Sequence, residues 1–195
     1  STRKESSAAS DVYKRQIWAS PIRLDPKWNG GDYYGKEPPN AGLAEALKIV
    51  SLHANHWEWA DKATGRAFAE GGKDPGLAMA NRFRIETLLA NAGAARAKVS
   101  DANHFLYLVK ANQTFAPGGA QSIDEAAKKI KAKTLLLYSP TDQVFPAPWV
   151  KATEAALKAN GVSVDSAEIA GPNGHLNGVV GLGPLGPRIT EFLAR

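Results

Sequence analysis

Along most of the chain, apolar residues either recur every three or four positions or run together in short blocks, and the boundaries between these regimes divide the sequence into four parts. Residues 1–16, STRKESSAASDVYKRQ, follow neither pattern. They are rich in Ser and charge and offer too little apolar surface to offset the entropy of ordering, which predicts a disordered tail. The run SSAASDVYKRQ also resembles a translated cloning or assembly junction, in which case it is no part of the natural protein. Residues 17–40 read as a connection, with DPKWNGGDYYG at 25–35 suited to a tight, packed loop. Residues 41–120 carry helical spacing at Leu43, Leu47 and Val50, at Phe83, Leu88 and Leu89, and at Phe105, Leu108 and Val109. Breaks at Gly71-Gly72, Asp74-Pro75-Gly76 and Ala92-Gly93 divide that region into three or four pieces, and it shows no strand-like alternation. An all-helical subdomain is expected there.

Residues 121–195 change period again. Thr134 to Tyr138, TLLLY, is a short continuous apolar run, as expected of a strand buried on both faces of a parallel sheet. A helix follows, with Pro148 in its first turn, Val150 and Leu157 on one face and Asn160-Gly161 as its stop. Val162, Val164, Ala167 and Ile169 outline a second strand, and Pro187 opens a closing helix with Ile189, Phe192 and Leu193 inward. Strand, helix, strand, helix with short links makes an α/β unit with parallel strands. No internal repeat is visible.

Composition narrows the chemistry. The formal net charge of +5 is spread among acidic residues rather than gathered in one stripe, so nucleic acid is not expected as a partner. The absence of cysteine removes disulfides, thiolate nucleophiles and Cys-ligated zinc from consideration. No apolar run approaches the ~18 residues of a membrane-spanning helix, and no membrane association is expected. The compartment is left open, a soluble and cytoplasmic setting being slightly favoured.

In parallel α/β sheets, functional groups gather on loops that leave the carboxyl ends of strands. Two such loops exist here. SPTDQVFPAP places Asp142 just beyond the first strand, and AGPNGHLNGVVG places His175 just beyond the second, 33 positions later. An Asp followed in chain order by a His on such loops is how one class of serine hydrolases delivers the acid and base of its triad. The imidazole takes the nucleophile's proton, and the carboxylate fixes its tautomer and stabilises the imidazolium. Glycines at 171, 174 and 178 would let the ring approach a neighbouring loop. The competing reading makes Asp142 a turn residue and His175 an ordinary loop histidine.

The run DPKWNGGDYYG, the later DANHFLYLVKANQTF, the KTLLLYSPTDQVFP strand and loop, and the IAGPNGHLNG loop together resemble, in order and spacing, the homoserine O-acetyltransferase family of α/β-hydrolase-fold proteins. The resemblance runs from about residue 17 to the end. It implies the C-terminal half of an α/β-hydrolase fold, preceded by a helical lid, with Asp142 and His175 as catalytic acid and base. It further implies a small-molecule acyl donor, an ester or acyl-CoA, an acyl acceptor and no cofactor, and a homodimer through the lid is possible. Two departures matter. The family's nucleophile sits in a Gly-x-Ser-x-Gly elbow, and no such pattern occurs in these 195 residues, so the chain reads as a fragment that is inactive by itself. The family also usually follows its catalytic His with an acidic residue connected with the amino-acid substrate, whereas Leu176 stands here. A related esterase or acyltransferase with a more apolar substrate is therefore open. A catalytically inactive binding or scaffold protein is the alternative from another class.

Other residues carry weaker expectations. His104, Tyr107 and Lys110 recur along one face of a predicted helix and could line the substrate tunnel of such a lid, or simply be solvated. His53 and His56 lie three apart on a predicted helix but lack the partners of a zinc motif, so no metal is expected. Trp57 and Trp59 beside them read as lid packing or an oligomer contact, and Gly118-Gly119 lacks the setting of a phosphate loop.

Overall fold

The structure, a computed structural model, describes residues 2–115, 117–120 and 122–194. By their internal contacts they fall into two units, Ser1–Leu52 with Ala60–Phe115, and His53–Trp59 with Ala116–Arg195.

The first unit opens with α1, Thr2–Leu24, a single helix with Pro21 inside it. Across the stretch read as a tail, 1–16, the backbone is helical from Thr2 and passes the residue 16 boundary without a break. Its anchors lie late, at Trp18, Ala19 and Ile22, all buried, with the Arg15 guanidinium carbon 4.4 Å from the Trp18 ring centre. Once that end is seated, helical hydrogen bonding extends the chain backwards without needing an apolar face of its own. Val12 and Tyr13 are exposed, and the side chains of residues 1–11 lie outside the described ones.

The 25–35 loop is tied at both ends by its own side chains. Asp25 accepts from the Lys27 amide at 3.0 Å and from the Gly42 amide, in α2 (Asn40–Ala54), at 2.8 Å. Trp28 Nε1 donates to Asn103 Oδ1 at 3.0 Å, and Asn103 Nδ2 donates to the Gly31 carbonyl at 2.9 Å. These bonds dock the loop on the start of α5 (Ala102–Gln113). The core beneath is built from Ile22, Tyr33, Leu43, Leu47, Ala97 and Ala102.

After α3 (Trp57–Ala63), residues 64–83 hold no α-helix, only a short 3-10 turn at Glu70–Gly72, and are closed by an antiparallel bridge between Phe68 and Phe83, so this region is not α-helical throughout. The break expected at Ala92-Gly93 is absent, because α4 runs from Arg84 to Ala97. Gly93 is there for proximity: a Cβ on it would stand 2.5 Å from the Ala44 carbonyl oxygen of α2.

The second unit is the α/β portion. Ser122 caps α6 (Ile123–Lys129) by accepting from the Glu125 amide at 3.1 Å. Strand β1 (Thr134–Tyr138) pairs in parallel with β2 (Val164–Glu168), from Thr134 opposite Val164 to Tyr138 opposite Glu168. The crossover is α7 (Ala147–Ala159), which begins after Pro146 with Pro148 in its first turn. Leu157, Val162 and Ala127 form the buried centre, with Leu136 and Val164 against it. β1 was expected to be buried on both faces; only Tyr138 is buried, and residues 134–137 are half-buried. Among the described residues the sheet has these two strands, each the other's one strand neighbour. A short α8 (Asn177–Val180) and the closing α9 (Gly186–Ala194) complete the unit, with Arg188 paired to Asp165 of β2 at 2.7 Å.

Candidate active site

Both loops carrying the candidate acid and base leave the carboxyl ends of β1 and β2, and parallel pairing puts those ends side by side. Asp142 lies in a turn closed by its amide donating to the Ser139 carbonyl at 3.2 Å. Its Oδ1 accepts from the Val144 and Phe145 amides at 2.7 and 2.9 Å. Those two bonds fix the carboxylate plane and leave Oδ2 pointing at His175, whose Nδ1 lies 2.9 Å away. An ionised carboxylate can only accept, so Nδ1 donates, and in the neutral ring Nε2 then holds the lone pair. No hydrogen bond reaches Nε2 among the described residues, and the Phe145 ring lies beside the imidazole, centroids 5.5 Å apart. The Asp142 side chain is 10% exposed and the His175 side chain 37%, so the bond is sheltered while the ring edge stays accessible.

The His175 loop is shaped by two glycines. Gly171 has φ of +141° and a Cβ there would fall 2.5 Å from Asn177 Oδ1; Gly174 has φ of +59° and a Cβ would stand 3.0 Å from the Ala54 carbonyl and the His56 amide. The close approach expected of the loop is thus made by backbone at 171 and 174. Gly178 is different, with open space around the position a Cβ would take.

A pocket of about 480 Å³ opens beside the pair, lined by Leu136, Leu137, Phe145, Trp149, Ile169 and His175 among others. Its walls are chiefly apolar. Leu176, directly after His175, is 37% exposed.

The remaining candidates lie elsewhere. His104, Tyr107 and Lys110 are all exposed on α5 in the first unit, apart from the unit that holds Asp142 and His175. His53 and His56 do not share a helix as expected: α2 ends at Ala54, and His56 sits in the link to α3 with its ring against Trp57, centroids 5.2 Å apart. Trp57 is 62% exposed, and no group of three potential metal-ligating side chains is gathered among the described residues. Sequence reasoning passed over Asn177 and Ser139, both buried, which join the two loops through a 3.0 Å hydrogen bond. A polar residue in the first turn of an otherwise apolar helix, Asn177-Gly178-Val179-Val180, was the available signal.

No family model matches the sequence. Among curated proteins, the chain is 29% identical over 189 residues to a homoserine O-acetyltransferase of Methanococcus vannielii, covering 97% of this chain and 38% of that protein. It is 30% identical over 184 residues to a serine O-succinyltransferase of Litchfieldella anticariensis, covering 92% of this chain and 50% of that one. Among solved structures, esterase E22 superposes with a TM-score of 0.86 at 29% identity, over 95% of this chain and 50% of that chain. The chain therefore spans half or less of the length of these relatives. Nearly the whole of the chain is thus similar in sequence to homoserine O-acetyltransferases, and its parallel strands, which present Asp142 and His175 side by side, form part of an α/β-hydrolase fold.

Proposed function

We propose that the chain supplies the acid and base of a serine-dependent acyl-transfer enzyme, and that the serine comes from polypeptide outside these 195 residues. The observation that carries this reading is the 2.9 Å contact between Asp142 Oδ2 and His175 Nδ1, with Nε2 left free to serve a nucleophile. In the proposed reaction a serine Oγ attacks the acyl carbon of an ester or thioester while Nε2 takes the hydroxyl proton. Asp142 holds the imidazolium, which then gives that proton to the leaving alcohol or thiol. The acyl-serine so formed passes its acyl group to an acceptor alcohol or to water, with His175 now deprotonating the acceptor. Leu176 beside the base and the apolar pocket favour an acceptor without the charged ammonium and carboxylate of an amino acid. Relatives named as an esterase and as amino-acid O-acyltransferases bracket the two outcomes, hydrolysis and transfer. β1 has a strand neighbour on one side among the described residues, and further strands of the sheet would add on its other side.

The test is reconstitution. The chain is to be joined to the upstream half of its source gene and assayed with p-nitrophenyl acetate, with and without homoserine or a simple alcohol. Turnover is expected in the joined protein, lost in His175→Ala, with only background from the 195-residue chain. Turnover by the chain alone that disappears in His175→Ala would overturn the proposal.

A further inference from the structure

Asn177 is 1% exposed, and every polar atom of its amide is engaged. Nδ2 donates to Ser139 Oγ at 3.0 Å and to the Gly171 carbonyl at 2.8 Å, while Oδ1 accepts from the Asn173 amide at 3.2 Å. A carbonyl on one side and an N–H on the other fix which end of the amide is which. Ser139 is itself buried and directly follows the strand that leads to Asp142; its Oγ lies 3.0 Å from Thr141 Oγ1, one residue before the carboxylate. Gly171 and Asn173 belong to the loop that delivers His175. A chain of side-chain hydrogen bonds therefore ties the Asp142 loop to the His175 loop, parallel to the Asp142–His175 bond and independent of it. The bare Cα of Gly171 makes room for the amide, since a Cβ there would occupy its space.

We infer that Asn177 is a positioning residue: it clamps the two loops together and so holds the His175 ring in hydrogen-bond register with Asp142. The inference rests on the reading of that pair as acid and base, and adds the device that keeps the pair formed. Two loops after parallel strands share no covalent link shorter than the crossover, and Asp142–His175 alone is a single bond at a partly exposed ring. A satisfied buried network fixes a unique geometry where an apolar contact would permit sliding. Its strength comes from low dielectric and full pairing, so removing one member leaves buried donors and acceptors unmatched.

The experiment is proton NMR of the ¹⁵N-histidine-labelled chain at low temperature, following the downfield Nδ1–H resonance of an imidazole bonded to a carboxylate. The chain has four histidines, and His175→Gln assigns the signal. The resonance is expected in the parent, absent in Asn177→Leu, which keeps the volume without the amide, and broadened in Ser139→Ala, which removes one bond. Backbone amide signals of residues 122–170 in a uniformly ¹⁵N-labelled sample serve as the check that the unit holding the pair stays folded. Should Asn177→Leu fail to fold, Ser139→Ala and Thr141→Val decide by the same signal. A resonance present in the parent and unchanged in the folded variants overturns the clamp. If the parent has no such resonance, the pairing of Asp142 with His175 itself fails, and with it the proposed function.

Discussion

The Tyr33 hydroxyl donates to Asp101 Oδ2 at 2.5 Å and accepts from the Ala102 and Asn103 amides at 3.1 and 3.2 Å, joining residues 68 positions apart at the start of α5. Burial and then the bond to Asp101 push the Tyr33 hydroxyl up to about 12. Asp101 moves the other way: its own burial opposes ionisation but is outweighed by bonds from Tyr33, the His104 amide and Tyr34, which lower it below 3.8.

These shifts predict a stability window with two edges. For Tyr33 the folded value is the raised one, so its contribution is complete below pH 10 and is lost as pH rises through about 12. For Asp101 the folded value is the depressed one, so its contribution is present above 3.8 and is lost as pH falls through that lower value. Urea midpoints measured from pH 9 to 12 should fall by up to ~2 kcal/mol of stability in the parent. In Tyr33→Phe the protein starts ~1–3 kcal/mol lower, because the buried Ala102 amide and the half-buried Asn103 amide lose their acceptor. The alkaline slope should then flatten. A variant with an unchanged slope would remove Tyr33 as its cause.

Replacing Asp142 with Asn tests the tautomer. The amide can keep an oxygen toward the Val144 and Phe145 amides, but it then presents N–H to Nδ1, where a carboxylate oxygen stood at 2.9 Å. The proton of the neutral ring would move to Nε2, where the proposed nucleophile needs a lone pair. In the reconstituted enzyme, kcat should drop by ~10⁴ with little change in stability, the scale of loss when a triad histidine is held in the wrong tautomer. Steady-state kinetics beside a melting curve make the comparison, and a loss below tenfold would detach Asp142 from the base.

How much of this was legible before folding depends on the range of the contact. TLLLY and the alternation around Val164 announced the two strands, and the strand-to-loop switch put Asp142 and His175 on one edge; each is a local signal, and the sheet then makes them neighbours. The motifs that carry the family resemblance were legible because they are spread over the chain in order. What was missed is carried by single long-range contacts. Nothing near residue 93 says that Ala44 is its neighbour, so its glycine read as a helix break. Nothing near residue 12 says that Trp18 and Ile22 will anchor the helix that passes through it. Asn177 was passed over because the partner that joins it to the other loop, Ser139, lies 38 positions away.

The glycines around His175 should separate by experiment. Gly171→Ala places a Cβ 2.5 Å from Asn177 Oδ1, at a φ of +141° that side chains rarely adopt. The strain and the displaced amide together should cost ~2–3 kcal/mol. Gly178→Ala meets nothing within 4 Å and lies in α8, where Ala is the better helix former. Its effect should stay within ~0.5 kcal/mol, on the stabilising side. Paired urea titrations suffice, and equal effects at the two positions would refute the assigned roles.

Gly93→Ala sets two effects of opposite sign against each other in the middle of α4. Helix propensity favours Ala by ~1 kcal/mol, because glycine gives up more backbone freedom on folding. Against that, the new methyl would stand 2.5 Å from the Ala44 carbonyl oxygen and 3.4 Å from Lys48 Cβ. The oxygen belongs to the backbone of α2 and cannot rotate away, so the two helices must separate. Separation loosens a core in which Leu43, Ala46 and Leu47 of α2 are almost fully buried, and overpacking of this kind costs ~1–3 kcal/mol. The collision is expected to win, giving a net loss of ~1–2 kcal/mol and a lower melting temperature. Gly93→Ser should be worse, having the same clash without the propensity gain. A more stable Gly93→Ala protein would mean that α2 and α4 are farther apart than the geometry describes, and that the glycine is a weak point of the helix after all.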